Sequence, residues 1–198
     1  MQTLKIDVEQ SITLTSPVFH EKRRISNNYS CTRLSANEPN ISPPLAWEGV
    51  PEEAKSISLI MHNTETVATD EPWIHWVIWN IPVDLGEFSE GLPQTEELSD
   101  GSRQGVNSGA TIGYVGPCPP EVILVSAAQS SAFGKMEPIT SKTGTLEKYF
   151  FGLYALAAVL DLAPGATSEE LLQTMEEHVL AGGELAGEQL GKFLIKHN

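Results

Sequence analysis

The chain is short of cations. Its 198 residues carry 12 Lys and Arg against 26 Asp and Glu, a formal net charge of −14. Binding nucleic acid or an anionic membrane surface needs surplus cations to neutralise phosphates, so neither partner is expected. The one basic cluster, Lys22-Arg23-Arg24, is too short for a nucleic-acid arm. Cysteine is nearly absent too. Cys31 and Cys118 lie far apart with no Cys-x-x-Cys pair, which excludes a zinc knuckle or a thioredoxin-like motif. No apolar run approaches the roughly 20 residues that span a bilayer. The opening MQTLKIDVEQSITL lacks the basic head and apolar core of a signal peptide. These absences predict a soluble, cytoplasmic protein with both thiols reduced. No G-x-S-x-G elbow and no recognisable Ser–His pair is present, so nucleophilic catalysis is not expected.

What is there predicts a folded chain. Hydrophobic residues make up 40% and charged residues 19%, unlike a disordered acidic tail. The length suits a single domain over residues 1–198. Nine acids and no Lys or Arg fall between positions 65 and 100, which reads mainly as a solvated face. The runs Ile57–Met61, Trp73–Ile81, Val122–Val125 and Tyr149–Leu156 are rich in branched and aromatic residues and read as strands. The second is apolar on both faces, as a doubly covered strand requires. One helix is predicted. Thr167 with Glu170 forms a capping box, Leu171, Leu172, Met175 and Val179 recur at helical spacing, and Gly182-Gly183 is expected to end the run. Strands first and a helix late predict a mainly β fold with a C-terminal helix. Residues 86–109 are polar and Gly-rich and read as an extended surface loop.

Four stretches stand out in order: Ser42-Pro43-Pro44-Leu45-Ala46-Trp47, Trp73-Ile74-His75-Trp76, Gly116-Pro117-Cys118-Pro119-Pro120, and Tyr149-Phe150-Phe151-Gly152-Leu153-Tyr154-Ala155-Leu156. Jointly they resemble the phosphatidylethanolamine-binding protein family, the group that includes Raf kinase inhibitor protein, and most closely its bacterial and archaeal branch. The resemblance implies a β fold of two antiparallel-rich sheets with one or two helices. It also implies a small anion pocket at one end. In that pocket His75 matches the family histidine, Gly116, Pro117, Pro119 and Pro120 match its wall loop, and Tyr149 matches a conserved tyrosine. An imidazole, a phenol and loop amides could all donate hydrogen bonds to a phosphate-like oxygen. The family acts chiefly by binding and inhibition. The resemblance therefore implies a small anionic or phospho-headgroup ligand or a peptide, protein partners of the kinase or protease kind, homodimers in many relatives, and neither enzyme activity nor a cofactor.

The chain departs from the family pattern at the pocket. Where relatives carry two Asp in a D-P-D-x-P loop, this chain has Asn63 and Glu65. Where they carry a second His, it has Glu147. Residues 121–146 are expected to be an insertion at the pocket rim, and an alternative reading makes that insertion a partner surface beside a vestigial pocket. A carboxylate opposes phosphate by about 4 kcal/mol at 4 Å and an effective dielectric of 20. The pocket is therefore expected to keep its shape and shift its preference toward neutral or cationic groups. On residue type the four tryptophans read as core, and His62 and His75 with Glu65 as no metal site, because no recognised ligand spacing supports one; the resemblance, in which the same Cys recurs without being a nucleophile, implies a packed inert thiol at Cys118.

Overall fold

A computed structural model describes residues 11–30, 40–63, 72–118, 122–125, 146–190 and 193–196. The strongest apolar runs form the centre of a six-stranded sheet. In chain order its strands are β2 (Arg23–Arg24), β4 (Ser56–Asn63), β5 (Trp73–Ile81), β7 (Arg103–Gln104), β9 (Leu146–Leu156) and β10 (Val179–Leu190). Their spatial order is β2-β10-β9-β4-β5-β7, antiparallel except for β2 beside β10. A smaller antiparallel sheet sets β3 (Leu45–Glu48) between β1 (Thr13–Thr15) and β6 (Glu87–Phe88). The remaining strands, β8 (Val122–Val125) and β11 (Phe193–Lys196), pair in parallel. Among the described residues the architecture is mainly β with one α-helix, as the sequence predicts.

The central strands are covered on both sides. One face of the large sheet, with Leu59, Met61, Trp76, Ile78, Phe151 and Leu185, shares a core with Leu14, Leu45, Trp47 and Phe88 of the small sheet. The other face carries Ile60, Val77, Trp79 and Tyr154, which meet Leu171 and Met175 of the helix α1 (Ser168–Met175). The Thr167 capping box forms: its hydroxyl accepts from the Glu170 amide, and the Glu170 carboxylate accepts from the Thr167 amide. That carboxylate is held below its usual pKa by the Thr167 backbone bond.

The helix ends earlier than the sequence predicts. It stops at Met175, a 3-10 turn covers Glu176–His178, and Gly182-Gly183 lies inside β10. Pairing with β9 outcompetes further helix. Gly183 has a different reason to be glycine: a Cβ there would sit 2.3 Å from the Ile12 carbonyl oxygen, where residues 11–12 cross the strand. Residues 86–109 also differ from the expected surface loop. They contain β6 and β7 and bury Ser102, Gln104 and Asn107, whose hydrogen bonds tie the segment to the large sheet and to its own turns. Of the expected insertion at 121–146, strand β8 and the first residue of β9 are described; 121 and 126–145 lie outside the described residues.

Candidate functional site

An irregularity in the sheet aims the histidine. Along β4 and β5, Met61 pairs with Trp76 but His62 pairs with Ile74, so His75 is an extra residue bulged out of the ladder. A bulge breaks strict alternation and re-aims a side chain. Ile74 and Val77 therefore face the helix side, whereas Trp76 faces the inter-sheet core, and the His75 and Tyr149 rings meet in a T-shaped contact with centroids 5.2 Å apart. The loop at 114–118 fixes the imidazole. The Val115 amide donates to the His75 carbonyl at 2.9 Å, and His75 Nδ1 lies 2.8 Å from the Val115 carbonyl oxygen. A carbonyl can only accept, so Nδ1 carries the proton and Nε2 holds the lone pair. Burial lowers the His75 pKa to about 4; the nearby His62 adds to this and the Val115 carbonyl opposes it. The ring is neutral at pH 7.

Tyr149 and Glu147 are two apart on β9 and share a face, and the register sets Asn63 opposite Tyr149. The three side chains meet. The Glu147 Oε2 accepts from the Tyr149 hydroxyl at 2.7 Å and from Asn63 Nδ2 at 3.2 Å. His75, Asn63, Glu147 and Tyr149 are all buried, at 3%, 3%, 5% and 1% exposure. Burial first, then the hydrogen bond to Glu147, pushes the Tyr149 phenol far up, so it stays protonated and donating. The alternation puts Lys148 on the opposite face, exposed. Among the described residues no cation pairs with Glu147.

The wall loop is strapped from outside. The Tyr114 hydroxyl donates to the Tyr29 carbonyl at 2.6 Å, Ser30 Oγ donates to the Pro117 carbonyl at 2.8 Å, and the Gly116 amide donates to Asn40 Oδ1 at 3.0 Å. Cys118 is disulfide-bonded, which corrects the expectation of an inert reduced thiol. The chain's other cysteine is Cys31, outside the described residues, and the Ser30–Pro117 bond joins the immediate neighbours of both. The cytoplasmic setting expected from reduced thiols loses that support. No helix among the described residues is long and apolar enough to cross a membrane.

Of the nine residues named from sequence, Asn63, His75, Glu147 and Tyr149 converge, and Gly116 and Pro117 form the loop above the histidine. Glu65, Pro119 and Pro120 lie outside the described residues. Two further residues lie opposite members of the cluster in the strand register. Trp73 is not core: it is 41% exposed and sits opposite Asn63 in the register. Gln189 sits opposite Glu147 on β10, is 1% exposed, and its Oε1 has no hydrogen-bond partner. The period-two pattern Leu185, Gly187, Gln189 was the available signal, since it runs an amide along an otherwise buried face.

The family model for phosphatidylethanolamine-binding protein matches residues 15–123, over half the chain. A UPF0098 protein of Methanothermobacter thermautotrophicus is 41% identical over 176 residues, 89% of this chain and 97% of its own. The chain belongs to the phosphatidylethanolamine-binding protein family. A solved family homologue from Chlamydia trachomatis is 32% identical, with a TM-score of 0.69 over 91% of this chain and 98% of that one. Escherichia coli YbcL, at 22% identity, shares the family fold, with a TM-score of 0.70 over 92% of this chain and 99% of its own.

Proposed function

We propose that this family member is a non-catalytic binding protein whose small-ligand site is the cluster of Asn63, His75, Glu147 and Tyr149 beneath the 114–118 loop, and that the site disfavours phosphate-type anions. The observation that carries this reading is the state of the donors. An oxyanion would need the imidazole N–H, the phenol O–H and the loop amides. The His75 Nδ1–H already faces Val115, the Tyr149 hydroxyl faces Glu147, and the Gly116 and Val115 amides face Asn40 and His75. What these groups leave for a ligand is acceptor capacity: His75 Nε2 and Glu147 Oε1, neither bonded to a described residue. An inhibitory role toward a kinase or protease would follow from such a ligand site being shared with a partner's side chain.

Isothermal titration at pH 7 tests the reading. Inorganic phosphate and acetate should give no saturable heat with the wild-type chain. Glu147→Gln keeps the shape and both acceptor bonds while removing the charge, and should raise acetate affinity roughly 100-fold, somewhat less than the full repulsion of two charges 4 Å apart. Tight phosphate binding by the wild type, with chemical-shift changes centred on His75, overturns it.

A further inference from the structure

The disulfide at Cys118 sits where solvent reaches it and where it bears on the histidine. Cys118 is exposed at the end of the 114–118 loop, whereas Gly116 and Pro117 just before it are buried. The loop is held differently along its length. At its start the buried Tyr114 donates its hydroxyl to the Tyr29 carbonyl, and its own carbonyl accepts from Gln94 Nε2 at 2.7 Å. The Gly113 carbonyl beside it accepts from Asn107 Nδ2 at 2.9 Å. In the middle, Val115 makes both bonds that fix His75, and the Gly116 amide reaches Asn40. The end is poor in donors. Pro117, Pro119 and Pro120 have no amide N–H, so Cys118 carries the one backbone donor between positions 117 and 120. The Pro117 carbonyl accepts from Ser30 Oγ, a contact between residues 87 apart in sequence. The chain's one other cysteine, Cys31, follows Ser30, so the disulfide closes the same span covalently, one residue further along.

We propose that this disulfide is a thiol-labile clamp: a dithiol reductant opens it in the folded protein, the end of the wall loop is released, and His75 loses the fixed carbonyl that holds its proton on Nδ1. Exposed disulfides are the class that thiols reduce readily, since attack needs access to a sulfur. A reductant thiolate attacks the Cys118 sulfur, the S–S bond breaks, and its electron pair leaves with Cys31, which takes up a proton. The reductant's second thiol then attacks the mixed disulfide, closes its own disulfide and releases Cys118, which is protonated in turn. Two electrons and two protons pass from the dithiol to the chain. The fold survives the step, because Tyr114 stays in the inter-sheet core and the bonds at the loop's start are untouched. The clamp goes beyond the ligand site. It sets the state of the wall loop whatever the pocket binds, and takes from the proposed function only that this loop covers the pocket.

The test compares the full chain before and after treatment with dithiothreitol at pH 7 without denaturant, by amide hydrogen exchange and by the nitrogen signals of His75. Native reduction should run within about tenfold of its rate in the urea-unfolded chain. The Val115 and Gly116 amides should then exchange at least about tenfold faster, while Ile60 and Val77 at the sheet centre keep their protection. The two His75 nitrogen signals should move toward each other as both neutral tautomers become populated. A chain carrying both Cys31→Ser and Cys118→Ser should show the released loop without reductant and should not respond to dithiothreitol. A disulfide that resists dithiothreitol until the chain unfolds overturns the clamp. So does faster exchange at Ile60 and Val77 on reduction, which would make the bond a staple of the whole fold. A reduced chain with Val115, Gly116 and His75 unchanged overturns it as well. Loop release with no acetate bound by Glu147→Gln in either state supports the clamp and contradicts the ligand site.

Discussion

Replacing Trp76 by Ala should cost about 5 kcal/mol of folding stability, and Trp76→Phe about 2 kcal/mol. Trp76 is fully buried between the sheets, edge-on to Tyr114 at 5.4 Å and tilted against Phe88 at 6.1 Å. Truncating such a side chain loses its transfer free energy and leaves a cavity, about 3–5 kcal/mol. The second contribution is polar. Trp76 Nε1 donates to Gln104 Oε1 at 2.8 Å, while Gln104 Nε2 donates to the Pro93 and Thr95 carbonyls at 2.7 and 2.8 Å. Without the indole that buried oxygen is stranded, at about 1–3 kcal/mol. Phe restores most of the volume and none of the hydrogen bond. Trp47 provides the contrast, because it is buried but its Nε1 has no partner. Trp47→Phe should therefore cost no more than about 1 kcal/mol. Urea midpoints for the three variants check the ordering. Equal costs for Trp76→Phe and Trp47→Phe would show that the Gln104 bond contributes nothing.

Acidification should destabilise the protein through its buried histidines well before most carboxylates titrate. Burial lowers the pKa of both His75 and His62 to about 4. Between the unfolded value near 6.5 and about 4, the unfolded chain holds more protons than the folded one, so stability falls as pH falls. The contribution is complete above about pH 6.5 and is lost progressively toward pH 4. For the nearly closed His75 it amounts to about 3 kcal/mol. His62 is less enclosed, stacks on Phe150 at 5.5 Å, and contributes less. His75→Asn keeps a donor toward Val115 and removes the titration. Its stability should fall about 2–3 kcal/mol less than the wild type's between pH 7 and 4, the shared carboxylate background cancelling in the difference. Parallel pH profiles for the two proteins would place the acid sensitivity elsewhere.

The sheet centre was legible because its runs of Ile, Trp, Phe and Leu have no other stable home than a strand covered on both faces. The capping box was legible because Thr167 and Glu170 satisfy each other locally. Features set by distant contacts were not. The helix stop at Met175 depends on β10 pairing with β9, and Gly182-Gly183 looks like a stop signal unless the crossing Ile12 is known. The interior course of residues 86–109 depends on Gln104 reaching Trp76. At the site, the substitutions Asn63 and Glu147 were visible, and so was their electrostatic consequence. The bulge at His75 was not, because a one-residue slip in pairing leaves no mark on an apolar run. Nor was the exposure of Trp73, since an indole among Ile and Val reads as core.

The central claim is that the histidine offers a lone pair, and not a proton, to whatever the pocket binds. A long-range nitrogen–proton correlation spectrum of the free protein at pH 7 observes this directly. The account expects His75 as a neutral ring with the proton on Nδ1 and an unprotonated Nε2. A doubly protonated imidazolium at that pH, or the tautomer with the proton on Nε2, would contradict it.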